Sequence, residues 1–212
     1  MNKRLISLTI FFISLFFLNG CGFLNIHNEN VYLSSENYDS VTKTFYNSNK
    51  DSNKKSSFEL ISFLLDFIKR PYDTRESEGF TLLDPAKQKD SSNGRQVIWI
   101  GHSTLLLTID GITILTDPVF SLRASPFSSF GPKRVTPPAL QIIDLPKIDA
   151  IIISHNHYDH LDIKSLKELN KTQPQIRFFV PLGLKNLLIK NGLEFVHELD
   201  WWEKATFNGL TF

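Results

Sequence analysis

Disulfides are excluded at the outset, because Cys21 is the one cysteine of the 212 residues and no internal bridge can form. An excess of either charge is missing too. Lys and Arg number 23 against 22 Asp and Glu, for a formal net charge of +1, and no basic stripe runs along the chain. That balance argues against a nucleic-acid partner, since binding a phosphate backbone needs clustered Lys and Arg. A membrane-spanning run is absent from the N-terminus as well. The apolar stretch Leu5 to Leu18 falls short of the roughly 20 residues that cross a bilayer.

What stands at the N-terminus is an export pattern. Lys3 and Arg4 provide a positive start and Leu5 to Leu18 an apolar segment of signal-peptide length. Leu18-Asn19-Gly20-Cys21 resembles the bacterial lipoprotein cleavage box, with Asn19 in place of the more usual small residue. Residues 1–20 are therefore read as a lipoprotein-type signal peptide. The resemblance implies that Cys21 becomes the lipidated first residue of the mature protein, anchored to a membrane of the cell envelope. Two or more acyl chains hold stably, at about 0.8 kcal/mol per buried methylene.

Residues 21–57 are rich in Asn, Ser, Lys and Asp and are read as a flexible tether, because so polar a stretch buries little apolar surface. Residues 58–95 are read as a helix and a surface loop. Phe58, Ile61, Leu64, Leu65 and Ile68 recur at helical spacing between Ser57 and Arg70, and Pro71 stops the run. A folded hydrolase-like region is expected over 96–212. Val97 to Ile100, Leu105 to Ile109 and Ile112 to Thr116 read as strands, and Asp110-Gly111 as the hairpin turn of a β-meander ended by Asp117-Pro118.

The chemistry concentrates in Ile151-Ile-Ile-Ser-His155-Asn-His157-Tyr-Asp159-His160, which holds three of the six histidines of the chain. Imidazole nitrogen and carboxylate oxygen are the donors that hold zinc at about 2.0–2.2 Å. The preceding run Ala150 to Ile153 reads as a strand buried on both faces, and Asp162 as the cap of a following helix with Ile163, Leu166 and Leu169 inward. His155 and His157, two apart in an extended loop, can converge on one ion. Asp159 and His160 are adjacent and would diverge in extended backbone, which favours a second ion. Two ions about 3.5–4 Å apart stabilise attacking and leaving oxygens in hydrolysis, and zinc brings the pKa of a water from about 15.7 towards 7. No Ser or Cys nucleophile is then required. Further on, Ile176 to Val180 reads as a strand parallel to the Ile151 strand, Gly183 to Lys190 as a short helix and Phe195 to Leu199 as another strand.

His155-x-His157-x-Asp159-His160 is the signature of the metallo-β-lactamase superfamily, which the chain resembles. The resemblance implies an α/β (α+β) fold, a metallo-β-lactamase-like αββα sandwich of which this chain supplies roughly the N-terminal half. A narrower likeness rests on Trp99-Ile-Gly-His102-Ser-Thr, Leu115-Thr-Asp117-Pro118-Val-Phe, Arg123-Ala-Ser-Pro126, Gly131-Pro-Lys133-Arg134, Val180-Pro-Leu-Gly183 and Glu198-Leu-Asp200-Trp201-Trp202-Glu203. Together these are similar to N-acylphosphatidylethanolamine-hydrolysing phospholipase D. That likeness implies a two-zinc phosphodiesterase that converts a phospholipid to phosphatidic acid and an N-acylethanolamine, with another metal-dependent hydrolase or a non-catalytic lipoprotein as the other readings.

Carried over residue by residue, His155 and His157 bind one zinc, Asp159 and His160 the other, and Asp159 is also the catalytic candidate as a ligand able to relay a proton. Asp117 is expected beneath the metal loop, orienting it, unless it is only a turn residue before Pro118. His102 is read as structural or ligand-supporting rather than as a ligand. Arg123, Lys133 and Arg134 lie in the long loop Pro118 to Pro146 and either contact substrate phosphate or merely solvate it. The family pattern continues with a further His, a bridging Asp and a final His that have no matching positions here. The expectation is therefore a chain inactive alone, completed by a downstream segment.

Overall fold

The computed structural model describes residues 32–42, 44–46, 62, 94–126, 128–129 and 131–212. The signal peptide, Cys21 and, apart from helical Ser62, the helix expected over 57–70 lie outside the described residues. Among the described residues, no helix is long and apolar enough to cross a membrane.

Two short strands, β1 (Tyr38–Asp39) and β2 (Thr44–Phe45), form a hairpin. A six-stranded mixed sheet follows: β3 (Arg95–Gly101), β4 (Thr104–Ile109), β5 (Ile112–Thr116), β6 (Ala150–Ile152), β7 (Arg177–Pro181) and β8 (Val196–Leu199), in that spatial order. β3, β4 and β5 pair antiparallel, while β5 through β8 pair parallel. Asp110 at φ 49 and Gly111 at φ 83 close the β4–β5 turn, the pair of positive φ values a two-residue hairpin requires. Parallel neighbours need a crossover. Helix α1 (Ile163–Thr172) connects β6 to β7 and α2 (Lys185–Lys190) connects β7 to β8. A last hairpin, β9 (Thr206–Phe207) and β10 (Leu210–Thr211), turns at Asn208-Gly209.

Alternation along the strands sorts the side chains onto two faces. Leu115, Ile151, Phe178 and Val180 point to the main core, where Leu166 and Leu169 of α1 and Leu187 and Leu188 of α2 cover them. Full burial of one such side chain stabilises by roughly 1.5–3 kcal/mol. Ile114, Ala150 and Phe179 face the other way, against Phe207, Leu210 and Phe212. The Phe212 ring stacks on Phe179 with centroids 4.1 Å apart, so the last hairpin folds over the second face. The fold is the α/β, metallo-β-lactamase-like arrangement expected, but the described residues form one large sheet rather than a two-sheet sandwich.

One expectation needs correction. Part of the stretch read as a tether is folded: Tyr32 is 8% exposed and stacks in a cluster with Tyr38 and Phe45. Tyr32 and the two aromatics of the hairpin that follows it supply the apolar area that the average composition of 21–57 conceals. Trp201 and Trp202 of the resemblance motif are 44% and 84% exposed. They occupy a tight turn in which Glu203 N donates to the Asp200 carbonyl and the Glu203 carboxylate accepts from Asp200 N, and Trp202 is left-handed at φ 67.

Candidate metal centre

The site is built where β5 and β6 end and the β3–β4 turn approaches them. Ligands in open α/β sheets collect at these carboxyl ends because the strands fix the loops that leave them. Asp117 follows β5 in a left-handed conformation, φ 37, and is 5% exposed. Its corner is locked by Thr104, fully buried, whose Oγ1 donates to the Asp117 carbonyl at 2.8 Å and accepts from Val119 N at 3.2 Å. The Asp117 carboxylate accepts from Ser154 N and from Ser154 Oγ, both at 2.7 Å, and lies 2.9 Å from His160 Nδ1. It thus sits beneath the histidine loop, with His160 Nε2 as the ring's free ligand atom.

His155 Nε2 and His157 Nδ1 lie 3.0 Å apart. Residues 157–160 then form a turn, with His160 N and Leu161 N both bonded to the His157 carbonyl. The turn overrides the divergence that extended backbone would impose on neighbours, so Asp159 Oδ2 comes within 3.7 Å of His160 Nε2. The His155 and His160 rings are 4.0 Å apart, which makes the two pairs contiguous. Burial, then the imidazoles of His160 and His157, hold the His155 pKa below its usual value, against the pull of Asp117 and Asp159. The neutral form favoured in this way is the one that binds metal. Nitrogen and carboxylate donors that converge, with one ring held from behind by a carboxylate, suit a divalent ion such as zinc.

His102 lies nearer the centre than a structural turn residue needs to be: its Nε2 is 3.0 Å from Asp159 Oδ2. One ligand atom each from His102, Asp159 and His160 falls within 4.8 Å of the others. Ser154 was not singled out by sequence, yet its hydroxyl touches Asp117, His155 Nδ1 at 2.9 Å and His160 Nδ1 at 3.3 Å. A serine next to a His motif carries no spacing signal that would have found it.

Beside the centre opens a cavity of about 730 Å³, lined among others by Val97, Trp99, His102, Lys133, Arg134 and Asp159. Of the three loop cations considered for substrate contact or mere solvation, Lys133 and Arg134 line it. Arg123 does not, because its guanidinium donates to the Gly131 carbonyl at 2.6 Å and clips the loop to itself. Arg134 donates to the Val119 carbonyl and is half-buried; burial lowers its pKa and Asp162 partly offsets that. Asp162 caps α1 by accepting from Ser165 N, as its position suggested, and also accepts from Ser121 N at 3.0 Å. The cap therefore ties the 118–146 loop to the metal-binding stretch.

Residues 113–212 match the family described as "Beta-lactamase superfamily domain". This part of the chain is similar to a metallo-β-lactamase-fold domain. The chain is 44% identical over 129 residues to N-acyl-phosphatidylethanolamine-hydrolyzing phospholipase D 1 of Caenorhabditis elegans, a match covering 57% of this chain and 36% of that protein. It is 42% identical over 105 residues to the mitochondrial N-acyl-phosphatidylethanolamine-hydrolyzing phospholipase D of Saccharomyces cerevisiae, covering 50% of this chain and 22% of the yeast protein. A UPF0173 metal-dependent hydrolase of Anaeromyxobacter is 34% identical over 77 residues, covering 36% of this chain and 24% of that one. The chain thus spans well under half the length of these relatives.

Proposed function

We propose that this chain carries metal-binding machinery of a zinc-dependent phosphodiesterase that releases an N-acylethanolamine and phosphatidic acid from N-acylphosphatidylethanolamine. The observation that carries this reading is the joining of a His/Asp donor set to a cavity with apolar walls and two cations at its rim. Val97 and Trp99 are 68% and 50% exposed on the edge strand β3 and face that cavity, where a lipid chain could lie. Lys133 and Arg134 could meet a phosphate. The 44% identity to the nematode phospholipase D supports the same substrate class.

His155 and His157 would hold one ion, and Asp159 and His160 another. Bound zinc would supply a water of lowered pKa and positive charge against the developing phosphorane. Asp117 keeps the His160 ring oriented, and Asp159 is placed to take a proton at its carboxylate. Cys21, as a lipid anchor, would keep the domain at the envelope membrane that holds the substrate.

The test is product analysis on defined phospholipids with added zinc, using the 212-residue chain and, in parallel, any longer product of the same gene. With the longer product, N-acylethanolamine and phosphatidic acid are the expected products, lost by orders of magnitude when His155, His157, Asp159 or His160 is replaced, whereas the 212-residue chain by itself is expected to show no turnover. Hydrolysis of a lactone or sugar phosphate with intact phospholipid would move the assignment to the broader hydrolases that the Anaeromyxobacter relative represents. Replacing Cys21 with Ala should move the protein to the soluble fraction, and an unchanged, membrane-bound processed product would rule out the anchor.

A further inference from the structure

Ser154 has a single hydroxyl hydrogen, and its neighbours settle where that hydrogen goes. An ionised carboxylate only accepts, so the 2.7 Å contact between Ser154 Oγ and Asp117 Oδ2 is a bond that the serine donates. Oγ can then meet its other neighbours only as an acceptor. His155 Nδ1, 2.9 Å away, has to bring the proton itself. In the neutral ring, the form that binds metal, the lone pair is thereby left on Nε2, the atom 3.0 Å from His157 Nδ1. The same count applies to His160. Its Nδ1 lies 2.9 Å from Asp117 Oδ2 and 3.3 Å from Ser154 Oγ, two acceptors for one N–H, so its lone pair is also on Nε2, on the side of Asp159. We propose that Ser154 is a positioning residue that relays the Asp117 carboxylate to His155, so that one buried acid fixes the metal-binding tautomer in both donor pairs. The inference rests on the metal-hydrolase reading above.

The backbone holds this relay in place. Asp117 N donates to the Ile152 carbonyl at 2.9 Å, and Ser154 N donates back to Asp117 Oδ1 at 2.7 Å, so the exits of β5 and β6 are stitched together twice. Ile153 N, bonded to the Phe179 carbonyl at 2.9 Å, fixes the end of β6 from the side of β7. With Oδ1 committed to Ser154 N, Oδ2 is the oxygen turned towards Ser154 Oγ and His160. The His155 and His160 rings are 4.0 Å apart, close enough for Ser154 Oγ to reach Nδ1 of both. A hydrogen-bonded partner behind a ligating histidine sets its tautomer and makes it a better donor. Here a hydroxyl does for His155 what the carboxylate does directly for His160.

The test is a change made at Asp117 and read at His155. In Asp117→Asn the amide N–H takes the place of Oδ2 and donates to Ser154 Oγ, which frees the serine hydrogen to point at His155 Nδ1 and reverses that ring. Long-range proton–nitrogen NMR spectra of the metal-free 212-residue chain tell a protonated ring nitrogen from one with a lone pair, and His155→Gln assigns the signal. Wild type is expected to carry the His155 proton on Nδ1 and Asp117→Asn to carry it on Nε2. In a Ser154→Ala background the Asn substitution should no longer move it. Zinc affinity, read by competition with a chromophoric chelator, should fall about 10–100-fold in Ser154→Ala and return in Ser154→Thr, which keeps the hydroxyl. Circular dichroism melts confirm that each variant is folded. A wild-type proton on His155 Nε2, or the same response to Asp117→Asn with and without Ser154, would overturn the relay. Absence of zinc binding by wild type and by the longer product, with the proton still on Nδ1, would overturn the metal-hydrolase reading rather than the hydrogen-bond relay.

Discussion

Replacing Asp117 is the sharpest probe of how the histidine loop is held. Its carboxylate accepts three contacts at 2.7–2.9 Å from Ser154 and His160 while itself 5% exposed. Asp117→Ala leaves the Ser154 N–H without its acceptor, at about 1–3 kcal/mol. It also puts alanine at φ 37, which adds about 1 kcal/mol. The sum, about 2–4 kcal/mol, corresponds to a melting shift of roughly 5–15 °C at about 2–4 °C per kcal/mol. Asp117→Asn keeps an oxygen for Ser154 N and suits the left-handed backbone, so it should cost about half as much. Its amide N–H, however, would face His160 Nδ1 and drive the ring proton to Nε2, the atom the ion needs. Zinc affinity should then fall about 10–100-fold in a variant that is still folded, less than for replacement of a ligand itself. Urea unfolding of the metal-free chain gives the first quantity, and a chelator competition the second. An Asn variant with wild-type zinc affinity would show that Asp117 does not set the His160 tautomer.

His197 stacks on Phe179 at 5.1 Å, and burial, with Arg177 and Lys185 adding to it, lowers its pKa below the usual 6.5. The folded state then binds fewer protons than the unfolded one, so stability falls as pH drops from about 6.5 through the depressed value and is flat above. His197→Gln should lessen that slope in urea midpoints measured across pH 4–8, and an identical slope would remove His197 as its source. Asp162→Ala loses the α1 cap and the Ser121 contact and should destabilise by about 1–3 kcal/mol, read from the same urea curves. Gly183 lies at φ 96, and a Cβ there would come within 2.5 Å of the Tyr32 hydroxyl. Gly183→Ala should lever the β1–β2 hairpin away and speed proteolysis before residue 46; unchanged cleavage would mean the Tyr32 contact is dispensable.

The sequence by itself determined the local elements and the donor set. Ala150 to Ile153 could only be an interior strand, because a run without polar positions has no face to give to water. Asp110-Gly111 and Asn208-Gly209 could only turn tightly, because each pair accepts two positive φ values in succession. His155, His157, Asp159 and His160 announced themselves by falling within six positions. The contacts between distant stretches were a different matter. His102 and Asp159 are 57 residues apart, and Asp117 and His160 are 43 apart; no periodicity encodes such meetings. They exist because β5 lies beside β6 while β3 folds back through β4, bringing the ends of both at one rim of the sheet. The same packing decided that Arg123 bonds its own loop while Arg134 lines the cavity, and that Tyr32 is buried within a polar stretch. Residue type fixed what each side chain could do, and the path of the sheet fixed which of them could do it together.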